Sequence, residues 1–159
     1  MPVCDLSDLP KLIKLGSCLL GLDPGSKRIG MAISDPGLRV ASPLIVVARR
    51  KFADDASELG KVMRERNIGG LIVGLPKNPD GSEGPAAQSA RAFVRNLLER
   101  GDLPVPDMPV AFWDERFSTA AVEREMIEHD LSRARRAAKI DSAAAAYILQ
   151  GALDRLRKA

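Results

Sequence analysis

The stretch Leu19-Leu20-Gly21-Leu22-Asp23-Pro24-Gly25-Ser26-Lys27-Arg28-Ile29-Gly30-Met31-Ala32-Ile33-Ser34-Asp35 decides how this chain is read. An apolar run ends in Asp23, turns through Pro24 and Gly25, and returns as a second apolar segment. That is the pattern of a buried strand entering a tight turn, with an antiparallel partner beyond it. Asp23 stands at the strand's end either as a turn-former or as part of a site. Both readings are open until the rest of the chain is placed.

Working outward, the first strand is expected over 18–23, apolar throughout as in a strand covered on both faces. The second is expected over 28–34, and Asp35-Pro36-Gly37 marks the next turn. A third strand follows over 44–48, with Pro43 just ahead of it suggesting a sheet edge. The period then changes. Phe52, Ala56, Leu59 and Met63 recur at helical spacing, with Asp54, Asp55 and Glu58 early and Lys61, Arg64 and Arg66 late, an order that suits the helix macrodipole. Asn67 and Gly69 end that helix, and 71–75 is a fourth buried strand closed by Pro76.

A loop by composition covers 77–85, and the helix after it is expected to turn Ala86, Ala90, Phe93, Val94 and Leu97 inward, with Gly101 as its cap. A fifth strand over 110–113 ends in Asp114-Glu115-Arg116. Ser118 reads as the N-cap of a helix to about residue 128. Arg133, Arg135, Arg136 and Lys139 then read as a flexible basic loop. The last helix is expected to open at Asp141 and to carry Ile140, Ala143, Ala144, Tyr147, Ile148 and Gly151 on one stripe.

A chain of 159 residues is most simply one domain, here a body over 17–159 behind an N-terminal extension over 1–16. With 45% hydrophobic and 28% charged residues it reads as a soluble globular protein rather than a disordered one. A net charge of +3 permits a nucleic-acid partner without requiring one. Cys4 and Cys18 lack disulfide or metal-ligand patterning and read as reduced thiols. No segment resembles a signal peptide, and no apolar run approaches the ~20 residues of a membrane span. A cytoplasmic protein with no membrane partner is the expectation.

Three acids stand apart from the rest. Asp23 ends the first strand, Glu115 follows the fifth, and Asp141 precedes a run of four alanines, Ala143 to Ala146, that lets a helix lie close to a sheet. If the first, fourth and fifth strands are parallel, their carboxyl ends share the edge where ligands bind in such sheets. Three carboxylates brought together there repel by about 4 kcal/mol per pair at ~4 Å and an effective dielectric of ~20. Hard divalent cations offset that repulsion. Two ions about 3.5–4 Å apart suit phosphodiester hydrolysis. Read singly, Asp141 is also a helix N-cap and Asp114-Glu115-Arg116 a solvated strand end, and spacing alone leaves these alternatives open.

Four segments in order resemble the YqgF (RuvX) family. They are Leu22-Asp23-Pro24-Gly25-Ser26-Lys27-Arg28-Ile29-Gly30, Ile72-Val73-Gly74-Leu75-Pro76-Lys77-Asn78-Pro79-Asp80-Gly81, Asp114-Glu115-Arg116-Phe117-Ser118-Thr119 and Lys139-Ile140-Asp141-Ser142-Ala143-Ala144. The resemblance covers roughly residues 17–155. Members of that family are described as pre-16S rRNA nucleases or Holliday junction resolvases. The resemblance implies an α/β, ribonuclease H-like fold: a central five-stranded mixed sheet, strand order 3-2-1-4-5, flanked by helices. It also implies a hydrolase with an acidic site for Mg²⁺ or Mn²⁺, expected as two ions, in which Asp23, Glu115 and Asp141 match the catalytic and metal-binding acids. Junction resolvases of this fold usually draw an acid from the fourth strand, where this chain has Leu75-Pro76-Lys77-Asn78. Here the acid follows the fifth strand, a shift shared by the family.

The implied substrate is structured RNA, as pre-16S rRNA or a pre-ribosomal particle, with maturation of its 5′ end in ribosome biogenesis. Lys27, Arg28, Lys77, Asn78 and Arg116 lie near the motif ends and are candidate substrate contacts, as are Arg133, Arg135 and Arg136 beside Asp141. Contacts to phosphate would position a strand without reading its sequence. Aromatic residues make up only 4%, a poor basis for stacking single-stranded bases. His129, the only histidine, is assigned no role. Three alternatives stand beside the ribonuclease. One is resolution of four-way DNA junctions, which would favour a homodimer because two symmetric cuts need two sites. Another is a non-catalytic RNA-binding assembly factor. The last is a nucleotide-binding ATPase, disfavoured because such folds clamp the nucleotide between two domains.

Overall fold

A computed structural model of the chain describes residues 3–101, 103–117 and 133–158, with backbone only for 133–142. The expected helix from Ser118, and with it His129, lies outside the described residues.

The opening stretch forms β1 (Cys18–Pro24) and β2 (Arg28–Ser34), paired antiparallel with Asp23 opposite Gly30. β3 (Ala41–Ala48) pairs antiparallel with β2 at the sheet edge. It begins three residues before the expected start and contains Pro43. The register shifts between Met31 and Ala32, beside Pro43's partner Ala32, and an edge bulge is a place where a residue without an N–H is tolerated. β4 (Ile68–Leu75) and β5 (Val110–Asp114) add in parallel on the far side of β1, giving the order β3-β2-β1-β4-β5. The five-stranded mixed sheet is therefore as expected.

β4 takes in Gly69 and Gly70, the first of which reads from sequence as a helix stop. The helix stops instead at Asn67, whose φ of 55° ends it. The two glycines are bare because the N-terminal segment crosses them. A Cβ on Gly69 would lie 2.6 Å from that of Ser17, and one on Gly70 2.9 Å from Ile13 Cγ2. That segment holds a 3-10 turn (Leu6–Asp8) and the short α1 (Leu9–Leu12). Leu9 is fully buried, and the Cys4 N–H bonds the Val110 carbonyl at 2.8 Å.

Strand alternation divides the core in two. Leu20, Leu22, Leu71 and Val73 face α2 (Phe52–Glu65) and α3 (Pro85–Glu99), packing on Leu59, Met63, Phe93 and Leu97. Leu19, Ile72, Ala111 and Trp113 face α4 (Arg133–Lys158), packing on Ala145, Ile148, Leu149 and Ala152. The parity that sends Leu19 and Gly21 to the α4 face carries on to Asp23, and that of Ala111 and Trp113 to Glu115.

Three expectations are corrected. The basic stretch at Arg133, Arg135 and Arg136 is helix rather than loop, since α4 runs from Arg133. Arginine and alanine are good helix formers, and they carry the helix well ahead of the alanine run. Asp141 thus lies inside the helix, not at its N-cap. The seat of α4 is also broader than the expected stripe: Ala144 and Ile148 are buried as expected, Ala145, Leu149, Ala152 and Leu153 join them, and Ala143, Tyr147 and Gly151 are half-buried. In α3, Ala87 replaces Ala86 as the first inward residue.

Close helix–sheet contact fixes the height of α4. A Cβ on Gly21 would meet Leu149 Cβ at 2.8 Å and the Ala145 carbonyl at 3.1 Å, neither of which can rotate away. Gly21→Ala is expected to destabilise the fold by about 1–3 kcal/mol through overpacking, read as a drop of several degrees in Tm. An unchanged Tm would mean that α4 is not seated there.

Candidate active site

β1, β4 and β5 are parallel, so their carboxyl ends lie at one edge of the sheet. A groove of about 600 Å³ opens there, with the half-buried Asp23 and Glu115 among its lining residues. Pro24 and Gly25 carry the chain away from Asp23, while Ser26, Lys27 and Arg28 form one wall. The opposite wall is the first turns of α3, at Pro85, Ala86 and Ser89. These α3 residues were not singled out from the sequence. Their signal was topological, because a helix that leaves the carboxyl end of a parallel β4 must begin at the same edge.

Gly74 lies between the two acids, paired with Trp113 on β5 and one residue beyond Val73, the β1 partner of Leu22. A Cβ at Gly74 would stand 3.3 Å from the Glu115 carboxyl carbon and from its Oε2. Glu115 therefore lies across the bare β4 backbone, toward β1. The neighbouring acid is otherwise engaged. Asp114 accepts hydrogen bonds from Arg116 Nε at 3.1 Å, from Arg116 Nη2 at 2.6 Å and from the Arg116 backbone N–H at 3.0 Å. The guanidinium holds the Asp114 carboxyl below its ordinary value near 3.8. The geometry separates two adjacent carboxylates, one neutralised by arginine and one turned to the groove.

Arg116 also reaches the Pro79 carbonyl at 3.3 Å, tying the end of β5 to the loop after β4. Asn78 shapes that loop, with its Nδ2 donating to Ser82 Oγ at 2.9 Å and its backbone N–H to the Ser82 carbonyl at 2.9 Å. Lys77 lies on the same loop and helps keep Asp114 and Glu83 ionised. The structure thus brings Asp23, Glu115, Lys27 and Arg28 to one groove. It places Lys77, Asn78 and Arg116 in an adjoining loop network.

The side chains of Asp141, Arg133, Arg135 and Arg136 lie outside the described residues. The backbone of α4 places Asp141 one turn before Ala145, the residue whose carbonyl abuts Gly21. Gly21 is two residues, one strand repeat, before Asp23. No group of three His, Cys, Asp or Glu suited to a metal occurs among the described residues, which include only two of the three candidate acids. Cys4 and Cys18 are free thiols, and burial pushes both upward in pKa, which keeps them protonated.

Ionised carboxylates also bear on acid stability. Asp114 is held low by Arg116, and Asp35 by the backbone N–H groups of Val40 and Arg39. Depressed folded-state values give stability that is present above the unfolded pKa and lost as pH falls through the folded one. Tm is expected to stay level from pH 7 to about 5 and to fall below about pH 4. Asp35→Asn should flatten that acid limb, and an unaltered limb would contradict the assignment.

A mixed 3-2-1-4-5 sheet with acids at the carboxyl ends of its parallel strands defines the ribonuclease H-like class. Two solved structures share the fold: T. thermophilus RuvC in complex with a Holliday junction substrate, and the yeast mitochondrial Holliday junction resolvase. The first is 15% identical, with a TM-score of 0.50 over 88% of this chain and 96% of that one. The second is 12% identical, with a TM-score of 0.51 over 96% and 86%. The chain belongs to the RuvX family, described as Holliday junction resolvase, whose model matches residues 17–155. A relative from Chelativorans sp. (strain BNC1) is 57% identical over 157 residues, 99% of this chain and 95% of that protein. One from Rhodospirillum centenum is 53% identical over 158 residues, 99% and 84%. Both carry the name "Putative pre-16S rRNA nuclease".

Proposed function

We propose that this chain is a metal-dependent endonuclease that hydrolyses phosphodiester bonds in structured RNA, with the 5′ end of pre-16S rRNA as its substrate. The observation that carries this reading is the meeting of Asp23 and Glu115 in one groove, with Gly74 bare between them. The names of the relatives supply the RNA. Oxygen donors of this kind fit Mg²⁺ or Mn²⁺, and Asp23, Glu115 and Asp141 would hold the ion or ions. When bound, such ions polarise the phosphoryl oxygen and make water a nucleophile at neutral pH.

The chain's own residues do the rest. Asp23 is presented at the turn, while Glu115 is laid over Gly74 by the short turn after β5. Lys27 and Arg28 line the wall beside the acids, where their charge favours the phosphates on either side of the bond to be cut. The α3 wall narrows the approach from the other side.

A second reading, cleavage of four-way DNA junctions by a homodimer, is favoured by the description of the matched family. The test is incubation of purified protein with Mg²⁺ or Mn²⁺ and either a pre-16S rRNA fragment or a synthetic junction. Cleavage of the RNA alone supports the first reading. Symmetric cleavage of the junction alone supports the second. Cleavage of neither, by protein that still binds RNA, would support a non-catalytic assembly factor.

A further inference from the structure

Asp55 is the described residue whose place the site does not yet explain. A carboxylate that merely complements the dipole of α2 can remain in water, yet the Asp55 side chain is fully buried. It faces Arg49 as an ion pair, with Nε to Oδ2 at 3.3 Å and no hydrogen bond to Oδ2 among the described residues, and its Oδ1 accepts the Arg50 N–H at 3.1 Å. The Arg49 guanidinium lies 5.0 Å over the ring of Phe93 on α3. Its Nη1 donates to the Gly25 carbonyl at 2.9 Å, and the Arg49 backbone N–H donates to the Lys27 carbonyl at 2.9 Å. One residue therefore holds two carbonyls of the turn that leaves Asp23.

We propose that Arg49, oriented by buried Asp55 and by Phe93, is a positioning residue that fixes the Asp23 turn against α2 and α3. This rests on the reading of Asp23 as a catalytic acid. Within the turn the Gly25 N–H bonds the Arg28 carbonyl at 2.9 Å and the Asp23 carbonyl at 3.0 Å, and a Cβ on Gly25 would stand 2.9 Å from the Arg28 carbonyl. The loop is thus tight internally and anchored by the pairing of β1 with β2, and Arg49 ties its tip to the body. Buried ion pairs are weak devices for stability, since apolar residues of similar volume often serve as well or better. A planar guanidinium that stacks on Phe93, pairs by charge with a buried carboxylate and donates to the Gly25 carbonyl combines contacts that neither an apolar residue nor lysine reproduces. The Arg49 backbone N–H holds the Lys27 carbonyl, so the same residue borders the wall that carries Lys27 as well as the acid.

Two variants test this. Arg49→Lys keeps a cation beside Asp55 but cannot span both partners. Arg49→Met combined with Asp55→Leu removes the pair without leaving a buried lone charge. Both are expected to fold with Tm close to the parent. Exchange of the Gly25 amide with solvent should quicken at least about tenfold, as the turn opens locally. On whichever substrate the parent cleaves, kcat should fall about 10- to 100-fold with KM within about twofold, the pattern of a misplaced reacting group. A merely structural pair would shift Tm and leave Gly25 exchange and kcat at parental values, and that result in a folded variant overturns the proposal. If the parent cleaves neither RNA nor junctions, the nuclease reading fails by itself while the exchange rates still decide whether Arg49 fixes the turn.

Discussion

Asp23→Asn is expected to lower phosphodiester cleavage by at least about 10³-fold while leaving Tm nearly unchanged. The amide has the shape of the carboxylate but lacks its charge, so a hard cation loses an anionic ligand. Metal charge stabilisation of a phosphoryl transition state amounts to several kcal/mol, and about 4 kcal/mol is a factor of roughly 10³ in rate. The amide matches the carboxylate in volume, so packing at the end of β1 is retained. Glu115→Gln should behave alike. A companion measurement is the rise in Tm on adding Mn²⁺, which mass action gives to the parent and withholds from both variants. Cleavage that persists in Asp23→Asn would place the chemistry elsewhere.

The second large effect is expected at a residue with no side chain. A Cβ on Gly74 would stand 2.5 Å from Ile148 Cδ1 and 3.3 Å from the carboxyl of Glu115. The end of an isoleucine can swing aside, so the fold absorbs Gly74→Ala at about 1–3 kcal/mol. The Glu115 carboxylate must also give by a few tenths of an ångström, a fraction of the ~1 Å misplacement that can cost about 10²-fold in rate. We expect kcat to fall about 3- to 10-fold with KM nearly unchanged, measured at a temperature well below the variant's Tm. Gly21→Ala is the control. It overpacks the same helix against backbone and Cβ atoms two residues before Asp23, and its main effect is on Tm. If Gly74→Ala cleaves at the parental rate, Glu115 does not act from its position over β4.

Much of this arrangement is legible in the chain because short-range chemistry dictates it. Pro24 and Gly25 between two apolar runs define the β1–β2 hairpin, and the parity of Leu19, Gly21 and Asp23 settles which face the acid shares. The Ala143 to Ala146 run announces a helix lying close to the sheet. Other features depend on partners far away in sequence. Gly69 reads as a helix stop, whereas the crossing of Ile13 and Ser17 over β4 is what requires it and Gly70 to be bare. The arginines from Arg133 read as a basic loop by charge, but their helix propensity carries α4 through them. Asp55 looks like an ordinary first-turn acid, and only the packing of α2 beside Arg49 buries it. Asp114 and Glu115 cannot be told apart by composition. The 3-10 turn that begins at Glu115 and the reach of Arg116 to Asp114 separate them.

On the proposed reading, Asp23 and Glu115, with Asp141 from α4, form one cation site in the groove at the carboxyl edge of the sheet. Crystals soaked in Mn²⁺, measured at the manganese absorption edge, test it most directly. Anomalous peaks are expected within coordination distance of Asp23 and Glu115 and absent in Asp23→Asn crystals soaked alike. An ion bound elsewhere, with this groove vacant in protein that cleaves RNA, would contradict it.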